Sequence, residues 1–214
     1  MFVIHIFTQA GDLTEKFWSI RETVGRFLPL QPIPDSLQNV TAKGKYGKVK
    51  MEFVSSIFDS LNVLSKSTNI SKFPLNFEAL DQSSGFMVYD TEVAGLHTDP
   101  VLLNIPGLRD RGTVFVDQKP VGVLSRREQI FSLPLQVLPG QRLSIVVENQ
   151  GRICYGPELA DRKGILGNLT LGGKVLTGWK MTGLPLDDGP AVSRWCSKIL
   201  EAIKTDLSLK KHLR

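Results

Sequence analysis

The 214-residue chain is predicted to be mainly β, a jelly-roll-like sandwich with one helix before it and one after. Three observations predict this. From Gly85 onward, short β-rich runs ("FMVYDTEV", "GTVFVDQKPVGVLSR", "QIFSLPLQV", "QRLSIVVE", "GILGNLTLGGKVLTGWKM") are broken by turn residues about every ten positions. Within them apolar and polar residues alternate, as in "RLSIVVE", where Leu143, Ile145 and Val147 share one face and Ser144, Val146 and Glu148 the other. Helical spacing of apolar residues recurs towards the two ends.

At the N-terminal end, Phe17, Ile20, Val24, Phe27 and Leu28 form one stripe, with Asp12 at the cap position and Glu15 three residues later. This predicts a helix over about Leu13 to Leu28. Pro29, Pro32 and Pro34 then block continuation and open a linker. "VKMEFVSSIFDSLNVL" reads as a strand, Val49 to Val54, leading into a short helix, Ser56 to Leu64. "ISKFPLNFEALDQSSG" reads as loop. In the β region, Asp117 to Pro120 are expected to turn a hairpin between Thr113–Val116 and Val121–Leu124, and Gly172-Gly173 to turn another. The tail carries a second helical stripe, Val192, Trp195, Ile199, Ile203 and Leu207, expected to pack on its own domain.

Composition excludes several classes. Hydrophobic residues make up 42% and charged ones 22%, enough apolar content to build a core. The net charge of +5 is spread along the chain, its one dense cluster being Lys210, Lys211, His212 and Arg214 at the end, so no nucleic-acid partner is expected. No run approaches the ~18 apolar residues of a membrane span. "MFVIHIF" is too short for a signal peptide and lacks a basic leader, so none is expected. Cys154 and Cys196 are expected to be free, partly buried thiols.

The usual catalytic constellations are missing. His5, His97 and His212 have no serine in a Gly-x-Ser-x-Gly turn, and no His or Cys pair falls at metal-ligand spacing. "LGNLTLGGK" lacks the hydroxyl residue after its lysine that a phosphate loop needs. Neither a cofactor nor a metal is therefore expected. Asn39, Asn69 and Asn168 head Asn-x-Ser/Thr sequons, glycan acceptors on a secretory route.

"VVENQGRICYG", residues 146–156, is the remaining candidate. Asn149 and Gly151 supply a turn through left-handed backbone, after which Arg152 and Tyr155 follow on an extended segment, with Arg152 able to bridge back to a carboxylate, Glu148 being the local one, or to loop carbonyls. The alternative is that Glu148 is a sugar-binding or catalytic carboxylate.

These segments together carry a resemblance. "SGFMVYDTEV", "RDRGTVFVDQKPVGVLSR", "VVENQGRICYG" and "KGILGNLTLGGKVLTGWKMTGLPL" occur in the order seen in the β-galactosidases of glycoside hydrolase family 35. Upstream, "QAGDLTEKFWSIRETVGRF" is similar to the segment that closes that family's catalytic barrel, and "KYGKV" to the start of its connecting region. The resemblance makes Glu148, Asn149, Gly151, Arg152, Tyr155, Gly156, Lys163 and Gly164 a structural motif.

It also implies a (β/α)8 barrel followed by β-domains with a galactose-binding-like jelly roll, release of terminal β-linked galactose, and a lysosomal or secreted setting. The family's two catalytic glutamates belong to barrel segments upstream of Ala10-Gly11-Asp12, so neither is expected in this chain. The organisation expected is thus residues 1–28 as the end of a barrel, 29–82 as linker and connecting β-region, 83–186 as the jelly-roll β-domain and 187–214 as a divergent helical tail. The functional expectation is a non-catalytic β-domain portion of a β-galactosidase-like hydrolase, which meets β-galactosides only through the parent enzyme. The alternative is a carbohydrate-binding or protein-interaction module without chemistry.

Overall fold

The computed structural model describes residues 5–35, 43–51, 53, 55–190 and 192–197. The chain divides into two compact units, Met1–Glu52 and Phe53–Arg214.

The first unit is built around helix α1, Glu15–Gly25, shorter than the predicted span. Asp12 does not cap it. The Asp12 carboxylate takes the Thr8 hydroxyl and pairs with Lys43, and Thr14 occupies the N-cap while its hydroxyl donates to the carbonyls of His5 and Ile6. Rings of Phe7, Phe17 and Trp18 contact one another, yet no residue of α1 is buried. The predicted strand over Val49 to Val54 is not formed at 49–51 or 53, which are exposed and irregular; Glu52 and Val54 lie outside the described residues.

In the second unit, helix α2 spans Ile57–Leu64, with the Ser56 hydroxyl accepting from the Asp59 amide at its N-terminus. Among the described residues twelve strands follow: β1 Ser67–Ser71, β2 Phe86–Glu92, β3 Val101–Asn104, β4 Leu108–Arg109, β5 Arg111–Val116, β6 Lys119–Ser125, β7 Ser132–Leu135, β8 Arg142–Glu148, β9 Gly164–Ile165, β10 Thr170–Leu171, β11 Lys174–Val175 and β12 Trp179–Leu184. They form a six-stranded sheet in the order β1-β12-β2-β8-β5-β6, a four-stranded sheet β11-β10-β3-β7, and the pair β4-β9. Every pairing is antiparallel. The fold is an antiparallel β-sandwich. Ile70 and Ser71, read as the start of a loop, belong instead to β1, whose pairing with β12 along its whole length carries the sheet upstream of residue 83.

Between the sheets lies one apolar core. Tyr89, Leu143, Ile145 and Met181 of the large sheet meet Leu103 and Leu171 of the small one, all fully buried. Each such side chain stabilises the fold by about 1.5–3 kcal/mol relative to exposure. β8, with partners on both edges, runs through the middle.

The outer face of β8 departs from the alternation rule. Ser144 and Val146, expected to face solvent, are buried. For Val146 the reason is α2, whose Ile57, Phe58, Leu61 and Leu64 cover Val88, Val146 and Leu184, with the Phe58 and Phe115 rings edge-to-face at 5.0 Å; Ser144 is set between Asp90 and Phe115 on the neighbouring strands. A strand covered on both faces loses the simple polar-apolar alternation.

The two predicted hairpins form. Gly172-Gly173, at φ of 57° and 78°, joins β10 to β11. The β5–β6 turn is tighter than the four residues expected, consisting of Asp117 and Gln118 alone at φ of 45° and 64°, with Pro120 already in edge strand β6 opposite Phe115. Positive φ at both central residues matches the right-handed strand twist. Residues 192–197 of the tail are helical; Ile199, Ile203 and Leu207 of the predicted stripe lie outside the described residues. Both cysteines are free, but Cys154 is exposed rather than partly buried. No helix among the described residues is long and apolar enough to cross a membrane.

Candidate functional site

β8 delivers Glu148 to the end of the sheet, directly opposite Arg111 of β5. The Glu148 carboxylate lies 3.8 Å from the Arg111 guanidinium and accepts from the Gln150 side-chain amide at 3.2 Å. It does not meet Arg152. The expected Glu148–Arg152 tether is therefore incorrect, because the register gives Glu148 a nearer cation and the turn carries Arg152 away.

That turn is built differently from the expectation at one residue. Gly151 adopts the left-handed backbone, φ 101°, but Asn149 does not. Asn149 works through its side chain: Oδ1 accepts from the Gly151 amide at 3.0 Å and Nδ2 donates to the Ser83 carbonyl at 2.8 Å. Arg152 then reaches Glu78 at 2.5 Å and donates to the carbonyls of Asp161 and Ser83 at 3.1 and 3.2 Å. The same Glu78 carboxylate accepts from the Lys163 amide. Tyr155 is 91% exposed beside Gly156, which has a positive φ.

The centre of the site is Lys163. Its ammonium is buried and donates to both oxygens of Asp110, at 3.0 and 2.8 Å, and to Asp161 at 2.7 Å. Three protons thus meet three acceptors. Arg126 completes the cluster with one nitrogen 3.1 Å from Asp110 and 2.7 Å from Asp161, while its other terminal nitrogen lies 4.0 Å from Glu158. The Gln150 amide donates to Asp110 at 3.0 Å, so the loop after β8 is tied into the same group. Two carboxylates and two cations balance, which is the condition for keeping charges inside a protein.

Burial works to raise the Asp161 carboxyl, but the Lys163 and Arg126 hydrogen bonds outweigh it and hold the group below the usual carboxylate range. On the Arg126 guanidinium burial acts downward, and the bonds to Asp110 and Asp161 together prevail and raise it. Such a group holds charge in place. Asp161, held below its ordinary range, is not placed to act as an acid near neutrality.

Gly164, next to Lys163, has to be glycine. Its φ is 100°, and a Cβ there would lie 2.4 Å from the Tyr89 hydroxyl and 2.9 Å from the Phe77 ring. Tyr89 donates to the Leu75 carbonyl at 2.8 Å and accepts from the Ile165 amide at 3.3 Å, and burial pushes its phenol up. The strand β9 is thereby fixed against β2, with Lys163 at its entrance.

The motif residues are thus brought together only in part. Arg152, Lys163 and Gly164 gather around Glu78, Asp110 and Asp161; Glu148 belongs to the sheet end, and Tyr155 faces outward. Sequence reasoning missed Asp110, Arg126, Asp161 and Glu78. Asp110 lies 53 positions before Lys163, and no local pattern links them. Of the sequons, Asn168 is exposed ahead of β10 rather than inside a strand, with Leu169 and Leu171 buried as expected. Asn69 is half-buried within β1, and Asn39 lies outside the described residues. No group of three His, Cys, Asp or Glu among the described residues is placed to hold a metal ion.

Fold and cluster define an antiparallel β-sandwich module whose most buried charges brace its own loops. Residues 74–187, more than half of the chain, match the family described as beta-galactosidase, first all-beta domain, and the chain belongs to it. Among similar proteins, the beta-galactosidase of Bos taurus is 39% identical over 186 residues, an alignment covering 85% of this chain and 28% of that protein. The Homo sapiens beta-galactosidase is 39% identical over 190 residues, covering 86% and 27%. The beta-galactosidase-1-like protein of Mus musculus is 34% identical over 187 residues, covering 84% and 28%. The chain spans little more than a quarter of the length of these curated relatives.

Proposed function

We propose that the chain supplies the supporting β-domain of a β-galactosidase-like glycoside hydrolase and does not itself cleave glycosides. The parent activity would be hydrolysis of terminal non-reducing β-D-galactose. One observation carries the non-catalytic reading: the carboxylates gathered at the site, Asp110 and Asp161, are closed into bonds with Lys163 and Arg126. A retaining glycosidase needs one carboxyl kept protonated and a second ~5–5.5 Å away facing the sugar. Asp161 is held in the opposite direction, and Glu148 is engaged by Arg111 and Gln150. On this reading residues 1–28 correspond to the end of a barrel, 83–186 to the β-domain, and the whole follows the lysosomal or secreted route of the family, with Asn168 more exposed as a glycan acceptor than Asn69.

The test is release of chromophore from an aryl β-galactoside by the purified chain. None is expected, and turnover that disappears in Glu148→Gln would overturn the reading.

A second reading, a carbohydrate-binding module without catalysis, is favoured by an open cleft of about 480 Å3 lined by charged side chains of β2, β8 and β12. Isothermal titration of the full chain with galactose and lactose tests it: heat that saturates supports binding, and none removes it.

A further inference from the structure

The outer face of the six-stranded sheet is split along its strands. At one end α2 covers Val88, Val146 and Leu184. At the other the same face carries Asp90 and Glu92 of β2, Arg142 of β8 and Lys180 of β12, which line the open cleft with the Asp117-Gln118 turn, Gly140 and Gly178. Register sets Lys180 directly opposite Asp90 and Arg142 directly opposite Glu92.

Opposite charges in cross-strand register ordinarily pair. Here they do not: among the described residues neither Arg142 nor Lys180 forms a side-chain ion pair or hydrogen bond, and the Glu92 carboxylate has none either. Asp90 is held from the side by its cross-strand neighbour. The fully buried Ser144 donates to its Oδ1 at 2.5 Å, which fixes the carboxylate and leaves Oδ2 for the cleft. Asp117 is different, because its two oxygens are taken by the Arg142 amide and the Gln141 side chain, and it serves as wall.

The cleft therefore offers two acceptors, Asp90 and Glu92, and two cationic donors, Arg142 and Lys180, on strands spaced about 4.8 Å apart. A simple anion would satisfy the cations and be repelled by the carboxylates, and a cation the reverse. A hydroxyl group can both donate and accept, so a ligand bearing several satisfies both sets without carrying charge. The cleft volume falls within the ~300–1,000 Å3 of small-molecule sites.

We propose that this cleft is a binding site for an uncharged, hydroxyl-rich ligand, a saccharide held by hydrogen bonds from Asp90, Glu92, Arg142 and Lys180. The proposal rests on the carbohydrate-binding reading and assigns it a place. The site is separate from the Lys163 cluster and calls for no chemistry.

The test is a two-dimensional amide NMR titration of the full chain with methyl β-galactoside, with methyl α-glucoside and, as the charged control, with sodium sulfate. Saturable shifts at residues 90–92, 140–142 and 178–180 with at least one glycoside are expected. In Glu92→Gln and Lys180→Gln, both at exposed positions, the dissociation constant should rise at least about fivefold with the circular dichroism spectrum unchanged. Glycoside shifts mapping elsewhere would sink the site while leaving the carbohydrate-binding reading in place. Absence of shifts with either glycoside would remove both. Saturation of the cleft by sulfate alone, or shifts that persist unaltered in both variants, would also overturn it.

Discussion

Two lysines of the same sandwich are treated in opposite ways. Lys163 is buried, and each of its protons meets a carboxylate oxygen. Lys180 is exposed, faces Asp90 across the sheet, and forms no ion pair among the described residues. The difference follows from desolvation. An unpaired charge out of water costs several kcal/mol, so burial enforces complete pairing; in water an ion pair gains ~0–1 kcal/mol, and nothing compels it. Charges that are fully paired hold structure together, and charges left unpaired are available to a ligand.

The contrast is best broken at Lys163. Lys163→Met leaves Arg126 as the cation of the cluster shared by Asp110 and Asp161, and loss of about 3–5 kcal/mol is expected in urea unfolding. If the variant unfolds at the parental midpoint, the cluster is not a brace. Gly164→Ala is expected to cost about 1–3 kcal/mol by forcing a Cβ against Tyr89, read as a lowered thermal midpoint. Arg152→Ala, which removes a half-exposed bond to Glu78 and two to carbonyls, should cost about 1 kcal/mol. At the other extreme, Lys180→Gln should change stability by less than about 0.5 kcal/mol.

Acid sharpens the same comparison. Because the native Asp161 carboxyl lies below its ordinary value, its contribution is fully present above about pH 3.9 and is lost as pH falls through the lower native value. A series of urea melts from pH 6 downward should show stability falling in that acid window. In Lys163→Met the fall should be smaller, since a cation that depresses Asp161 is gone and less of the contribution is there to lose. A Lys180→Gln curve is expected to keep the parental shape.

Much of the sandwich was legible because its signals are local. Alternating Leu143, Ile145 and Val147 mark an inner face, and Gly172-Gly173 mark a turn, within a few residues of sequence. What was illegible depends on partners distant in the chain. Val146 looks solvent-facing until α2, some eighty positions earlier, is laid over it, and Ser144 until register sets it between Asp90 and Phe115. Glu148 and Arg152 look like partners by spacing until register presents Arg111 and the loop presents Glu78. The Lys163 cluster draws its members from residues 110, 126, 161 and 163, and a lysine before "GIL" carries no mark of being buried.

The strand order has a consequence for how such a unit can be built into longer chains. β1 opens the large sheet and β12 closes the sequence of strands, yet the two are neighbours, with Ser67 opposite Gly183. The sandwich's entry and exit therefore lie side by side, the arrangement that lets a domain be inserted within another polypeptide or circularly permuted. A permutant that joins the ends beside β1 and β12 and opens at the Gly140 turn should keep every strand pairing. Its slow step would shift, since β8 would become the first strand and its neighbour β5 a late one, so that these two would have to find each other across a longer stretch of chain.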